Sequence, residues 1–306
     1  MLAIRLDRDA VIEQLLPLLT SSWQSEPLNE AAKAGKTEWV KRLIPFCNAE
    51  SGDALSLAAR HGHVDAVKSL LRYANPLDAD SRPLYEASLH GHPDVVFQLL
   101  LCSDAKVRGS RALIAACKEG HLEVVKHLLP FSSKIQCAQQ GLKAAAEQNH
   151  EAVVKFLIGA GLPDPEDTYS LGLNIAAAKG HAPLVRILLW AIVRTGFSPR
   201  DFGQAALFAA AKNGHVEVVK SVLEFAHKTA YPEAALCAAL LGAHEGVADI
   251  LVRRVRLDHV RELIADEETE ARLGNRKGRC REAIQRASRQ REEQGERTGV
   301  GAGGPS

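Results

Sequence analysis

Residues 113–129 read LIAACKEGHLEVVKHLL, and this short stretch decides the fold. Its Gly-His pair recurs at 62–63, 91–92, 120–121, 180–181 and 214–215, with relaxed versions at Gly35-Lys36, Asn149-His150 and Ala243-His244. Taking the first residue of each pair as an anchor, successive anchors are 27, 29, 29, 29, 31, 34 and 29 residues apart. Leucine stands seven residues before every anchor: Leu28, Leu55, Leu84, Leu113, Leu142, Leu173, Leu207 and Leu236. Small pairs such as Ala58-Ala59, Ala116-Cys117 and Ala210-Ala211 stand four and three before it. Apolar pairs follow it, as in Val95-Val96, Val124-Val125 and Val218-Val219, and then Leu70-Leu71, Leu99-Leu100 and Leu128-Leu129.

These spacings predict a helix, a tight turn and a second helix in each unit. Leucine and the small pair, three and four residues apart, share one helix face. Alanine on that face lets neighbouring helices approach closely. Glycine at the anchor suits a helix end that needs positive φ, and asparagine is the next best residue there. The two apolar pairs of the second helix make another stripe. One unit cannot bury both faces alone, whereas a stack of units shares a continuous core. The second helices also carry an acid in the first turn (Glu38, Asp65, Asp94, Glu123, Glu217) and often a base three residues on (Lys41, Lys68, Lys126, Lys220). Acids at a helix start suit its dipole, and such pairs mark a solvated outer face.

The phrase Leu-x-x-Ala-Ala-x-x-Gly-His-x-x-Val-Val-x-x-Leu-Leu is similar to the ankyrin repeat, over residues 26–253 in about eight units. Tetratricopeptide units have a comparable length, but their Trp, Tyr and Pro markers are missing. The resemblance implies an all-α solenoid of stacked helix-turn-helix units. Two departures stand out. The family opens its first helix with Thr-Pro-Leu-His; here the histidine position holds Asn29, Ser56, Tyr85, Ile114, Lys143, Asn174, Phe208 and Cys237. Most units are also about four residues shorter than the usual ~33, which predicts short connections where the family has β-hairpin fingers. Longer loops are expected across 160–171 and 190–205.

Residues 1–25 carry Val11-Ile12 and Leu15-Leu16 at second-helix spacing and read as a half-unit cap. Residues 254–270, with Val255, Val260, Leu263 and Ile264, read as a capping helix. Residues 271–306 change character: Arg276, Lys277, Arg279, Arg281, Arg286, Arg289 and Arg291 form a basic stretch, and a Gly-rich end follows for which the composition predicts disorder.

The chain has 306 residues, 46% apolar and 25% charged, with a net charge of +1. That balance excludes a largely disordered chain and a body built as an electrostatic nucleic-acid binder. Length alone suggests about two domains; the repeat replaces that expectation with one array. Charges at Arg5, Asp7, Arg8, Asp9 and Glu13 break the apolar N-terminus, against a signal peptide. The run Ile187 to Val193 is far short of the ~20 residues that span a bilayer. The six cysteines (Cys47, Cys102, Cys117, Cys137, Cys237, Cys280) form no C-x-x-C pair or disulfide framework and read as apolar core residues in a reducing compartment. The expectation is a cytoplasmic, monomeric protein, with nuclear or host-cell delivery as variants.

Catalysis finds no footing in the sequence. Seven of the twelve histidines occupy the Gly-His position. Packed helices lie ~8–10 Å apart, whereas zinc needs nitrogens at ~2 Å, so side chains repeated once per unit do not converge on one ion. Each imidazole is expected instead to hydrogen-bond near the turn. No phosphate loop and no G-x-S-x-G elbow occurs. No enzyme, cofactor or metal is therefore expected.

The resemblance implies a non-catalytic scaffold or adaptor that binds a partner protein on the concave side, at the exposed ends of the first helices. Those ends are the two positions before each anchor. Their polar members are Lys33, Arg60, His61, His90, Lys118, Glu119, Glu147, Gln148, Lys179, Lys212 and Asn213. The set is mixed but leans basic, which favours an acidic protein surface. Tyr73, Tyr85 and Phe131 fall near the loops and are candidate anchors for a partner, with core or edge packing the favoured reading. Alternative readings are nucleic-acid or acidic-partner binding through the basic tail, a secreted effector of the same family, and a repeat protein with no specific partner. No aromatic interleaves the tail's basic residues, which argues against single-strand stacking.

Overall fold

The fold is taken from a computed structural model, which describes residues 25–47, 49, 53–76, 78–101, 105–132, 134–161, 165–196, 199–225, 232–254 and 289. Among them are sixteen α-helices and no strand. By contacts the chain divides into two compact units, Met1–Asp164 and Pro165–Ser306. The first holds α1 (Glu26–Lys33), α2 (Thr37–Leu43), α3 (Asp53–Arg60), α4 (Val64–Leu70), α5 (Asp78–Leu89), α6 (Pro93–Leu100), α7 (Ala105–Glu119), α8 (Leu122–Leu128), α9 (Lys134–Glu147) and α10 (Glu151–Gly159). The second holds α11 (Pro165–Lys179), α12 (Ala182–Arg194), α13 (Pro199–Asn213), α14 (Val216–Phe225), α15 (Pro232–Leu241) and α16 (Glu245–Val252).

In both units odd-numbered helices are the first of each pair and even-numbered helices the second. Within the first unit, α1, α3, α5, α7 and α9 pack side by side, and so do α2, α4, α6, α8 and α10. Within the second unit, α11, α13 and α15 form one row and α12, α14 and α16 the other. The result is an all-α repeat solenoid in its local architecture. The seam is built from the recurring residues: none of the eight motif leucines is more than 1% exposed, and Ala58, Ala59, Val124, Val125 and Leu128 are buried with them. Each buried leucine side chain contributes about 1.5–3 kcal/mol relative to an exposed one.

The turn at Gly62 shows why the anchor is glycine. Its φ is +76°. The Gly62 N–H donates to the Ala59 carbonyl at 3.3 Å and the His63 N–H to the Ala58 carbonyl at 3.0 Å. These two bonds satisfy helix-end carbonyls in the left-handed cap that glycine favours. Asn149 and Ala243 adopt the same conformation, with φ +62° and +59°.

Where the family has fingers, this chain extends its helices. α7, α11 and α13 each run 15 residues, against eight in α1 and α3. The longer loops expected across 160–171 and 190–205 are corrected in the same sense. α11 starts at Pro165, and α12 continues to Arg194, so most of the added residues are helical. Proline at a first helical position loses no intrahelical bond, which explains how Pro165 and Pro199 can open such extensions. The expected caps at 1–25 and 254–270 lie outside the described residues, apart from Ser25 and the turn ending at Arg254.

Candidate functional site: the first-helix ends

The C-terminal end of each first helix carries carbonyls with no intrahelical partner. In six places the motif histidine of the following pair reaches back to satisfy one. The Nε2–H donates to the carbonyl oxygen of Lys33 from His63 at 3.0 Å, of Arg60 from His92 at 2.9 Å, of Leu89 from His121 at 3.1 Å and of Lys118 from His150 at 2.8 Å. In the second unit His215 donates to Ala178 at 2.9 Å and His244 to Lys212 at 3.0 Å. The acceptor is always two residues before the anchor, at one of the positions singled out for partner contact. The hydrogen bond expected near the turn is thus a bond between neighbouring repeats.

The ring also needs the glycine. A Cβ on Gly62 would lie 2.6 Å from Nδ1 of His92, and one on Gly120 would lie 2.4 Å from Nδ1 of His150. Positive φ and the close approach of an imidazole therefore make the same demand on one residue.

With the backbone held, the side chains of these ends point to solvent. Lys33, Arg60, His61, His90, Lys118, Glu119 and Gln148 are exposed, and Glu147 is half-buried. The structure brings Lys33, Arg60, His61 and His90 together. His61 stacks on His63 with centroids 6.1 Å apart. Its pKa lies below the usual 6.5 because of partial burial first, and then because His63, Arg60, Lys33 and His90 surround it with positive charge. Glu86 tempers the far side of this cluster, 3.8 Å from His90 and 3.8 Å from Arg82. In the second unit Lys179, Lys212 and Asn213 are exposed, and the Asn213 amide donates to the Ala209 carbonyl at 2.9 Å.

Edge packing does not account for all the loop aromatics. Tyr73 is 56% and Phe131 48% exposed. Tyr85 is half-buried, under the Arg111 guanidinium at 4.8 Å. Exposed Phe97 and Trp190 were not singled out by the sequence, because they fall inside apolar stripes that read as core; Phe97 lies against the His127 ring at 5.8 Å and Trp190 under Arg194 at 4.7 Å. At the position where the family keeps a histidine, the side-chain oxygens of Asn29 and Asn174 are buried without a hydrogen bond. Of the basic tail, Arg276, Lys277, Arg279, Arg281, Arg286 and Arg291 lie outside the described residues, and Arg289 is exposed. Among the described residues no group of three or more His, Cys, Asp or Glu is placed to hold a metal ion. Among them, too, no helix is long and apolar enough to cross a membrane. Among the described residues Cys47, Cys117 and Cys237 form no disulfide, and burial raises the Cys47 pKa.

The sequence pattern of a family described as ankyrin repeats (three copies) matches residues 1–82, 84–168 and 173–262. The chain belongs to the ankyrin-repeat family. Ankyrin repeats are generally protein–protein interaction modules and are typically non-catalytic. No curated protein matches this ankyrin-repeat chain.

Proposed function

We propose that the chain is a non-catalytic scaffold that holds an acidic partner protein against the exposed ends of its first helices, the concave face of ankyrin repeats. The observation that carries this reading is the histidine clamp. The residue whose side chain meets solvent, such as Arg60 or Lys118, is the one whose carbonyl is tied to the next repeat. A contact surface so held loses little freedom on binding, and lower ordering cost favours affinity. Lys33 and Arg60, exposed side by side, give it a positive sign suited to carboxylates. No cofactor enters this reading.

The test is quantitative affinity capture with the full chain, comparing wild type with Arg60→Glu/Lys118→Glu and, in the second unit, Lys179→Glu. Selective loss of the partners captured by wild type is expected from the charge reversals. Identical partner lists from all of them would refute the assignment. Deleting residues 271–306 tests the tail; loss of the same partners on deletion, with the reversals silent, would move the binding function there.

A further inference from the structure

The second helices of the N-terminal unit carry a separate feature. Between α2 and α4, and the turns that follow them, lies an open groove of about 440 Å³. Ile44, Pro45 and Tyr73 give it apolar walls; Lys41, Lys68, Ser69 and Arg72 give it polar ones. Ligand sites commonly have volumes of ~300–1,000 Å³. Among the described residues the lining holds three cations and no carboxylate.

Among the described residues, Lys68 and Arg72 meet no carboxylate in an ion pair. Lys41 meets Glu38 at 2.8 Å, with both side chains more than half exposed. Asp65, three residues before Lys68, repeats the acid-base spacing of the other second helices, yet these two form no ion pair, unlike Glu123 with Lys126 at 2.7 Å. Arg72 follows Lys68 by four residues. Arg72 stands in the turn after α4, and like charges held near each other repel, so the fold gains nothing from the pair. The Ser69 hydroxyl is committed to the Asp65 carbonyl at 2.9 Å and leaves the cations as the groove's recognition groups. Tyr73 adds a ring that is 56% exposed, and Phe46, at the equivalent place one repeat earlier, is 41% exposed.

A small inorganic anion would engage the cations and leave the Ile44–Pro45–Tyr73 wall uncovered. A strand of bases would stack on several rings, whereas among the described residues Tyr73 alone brings a ring to this groove's lining. Anionic groups flanking an apolar side chain match both halves. We propose that this groove is a second docking site, taking a carboxylate-rich peptide segment of a partner protein that carries a branched or aromatic side chain. It is independent of the first-helix ends, so either surface can stand without the other.

The experiment is fluorescence anisotropy with the full chain. The probe is a labelled ten-residue peptide of aspartate and glutamate around one central phenylalanine. Saturable binding is expected, weakening with salt as ion pairing requires. Lys68→Glu/Arg72→Glu should weaken it about tenfold or more, and Lys68→Gln/Arg72→Gln by a smaller factor. Tyr73→Ala, and a probe with alanine in place of phenylalanine, should each lose several-fold. Lys155→Glu, at the Lys68-equivalent position of α10, should leave affinity within about twofold. Unchanged binding by both Lys68/Arg72 variants would overturn the proposal. Equal loss with Lys155→Glu would overturn it too, since the attraction would then be general charge. So would equally tight, groove-dependent binding of an oligothymidylate. Loss in the Arg60/Lys118 variant alone would assign the peptide to the first-helix ends and eliminate the groove.

Discussion

The His92 imidazole donates from Nε2 to the carbonyl oxygen of Arg60, 2.9 Å away and 32 residues earlier. The same ring lies so close to Gly62 that a Cβ there would stand 2.6 Å from Nδ1. One side chain thus caps a helix, joins two repeats and fixes the identity of a glycine. His92→Ala should lower stability by ~1 kcal/mol, the usual net value of such a bond where water can replace it. Urea unfolding measures this; an unchanged midpoint would mean that the clamp contributes nothing to the seam.

Gly62→Ala tests the ring contact separately from the backbone. The left-handed conformation alone costs a non-glycine residue ~1–2 kcal/mol, and displacing the imidazole adds to that. The total loss should exceed ~2 kcal/mol with His92 present and shrink toward the conformational cost in the His92→Ala background. Equal losses in the two backgrounds would show that the close approach carries no energy.

His61 sets a pH dependence. Its folded pKa lies below the ordinary 6.5. As pH falls through that ordinary value the unfolded chain takes up the proton first, so the stability contributed by neutral His61 is complete above it and is lost on acidification. Wild type should lose urea resistance more steeply than His61→Gln as pH drops below 6.5. An acidic partner on the first-helix ends would favour the protonated ring, so its affinity should rise over the same interval. Parallel stability curves for wild type and variant would remove His61 from the account.

The core predicts a sharp contrast between two apolar residues. Leu113 is 0% exposed, and Leu113→Ala should cost about 2–5 kcal/mol. Phe131 is 48% exposed, and Phe131→Ala should stay within about 1 kcal/mol. Thermal unfolding of the two variants makes the comparison; similar losses would contradict the assigned seam.

The eight leucines, the alanine pairs and the Gly-His anchors made the helix pairs legible, because burial on one face and a positive-φ turn each restrict residue choice strongly. The ends of the helices were less legible. Residues 160–171 and 190–205 read as longer loops, yet 165–171 belong to α11, 190–194 to α12 and 199–205 to α13. Polar residues there satisfy helix and loop equally well, and tertiary packing decides between them. The histidine was expected to bond near its turn, but its acceptor lies about 30 residues earlier, at a position where side-chain identity varies (Lys33, Arg60, Leu89, Lys118). A backbone carbonyl leaves no mark on sequence. The groove was hidden for a related reason: Lys41, Lys68 and Arg72 each read as ordinary charges on a solvated face, and only the packing of α2 beside α4 joins them.

Photo-cross-linking addresses the central claim most directly. A photoreactive residue is placed at Arg60 or Lys118, at the histidine-clamped helix ends, or at Lys155 on the outer side of a second helix, and the full chain is irradiated with its captured partner. The account predicts strong adducts from positions 60 and 118 and little from 155. Adducts from 155 with none from 60 or 118 would contradict it.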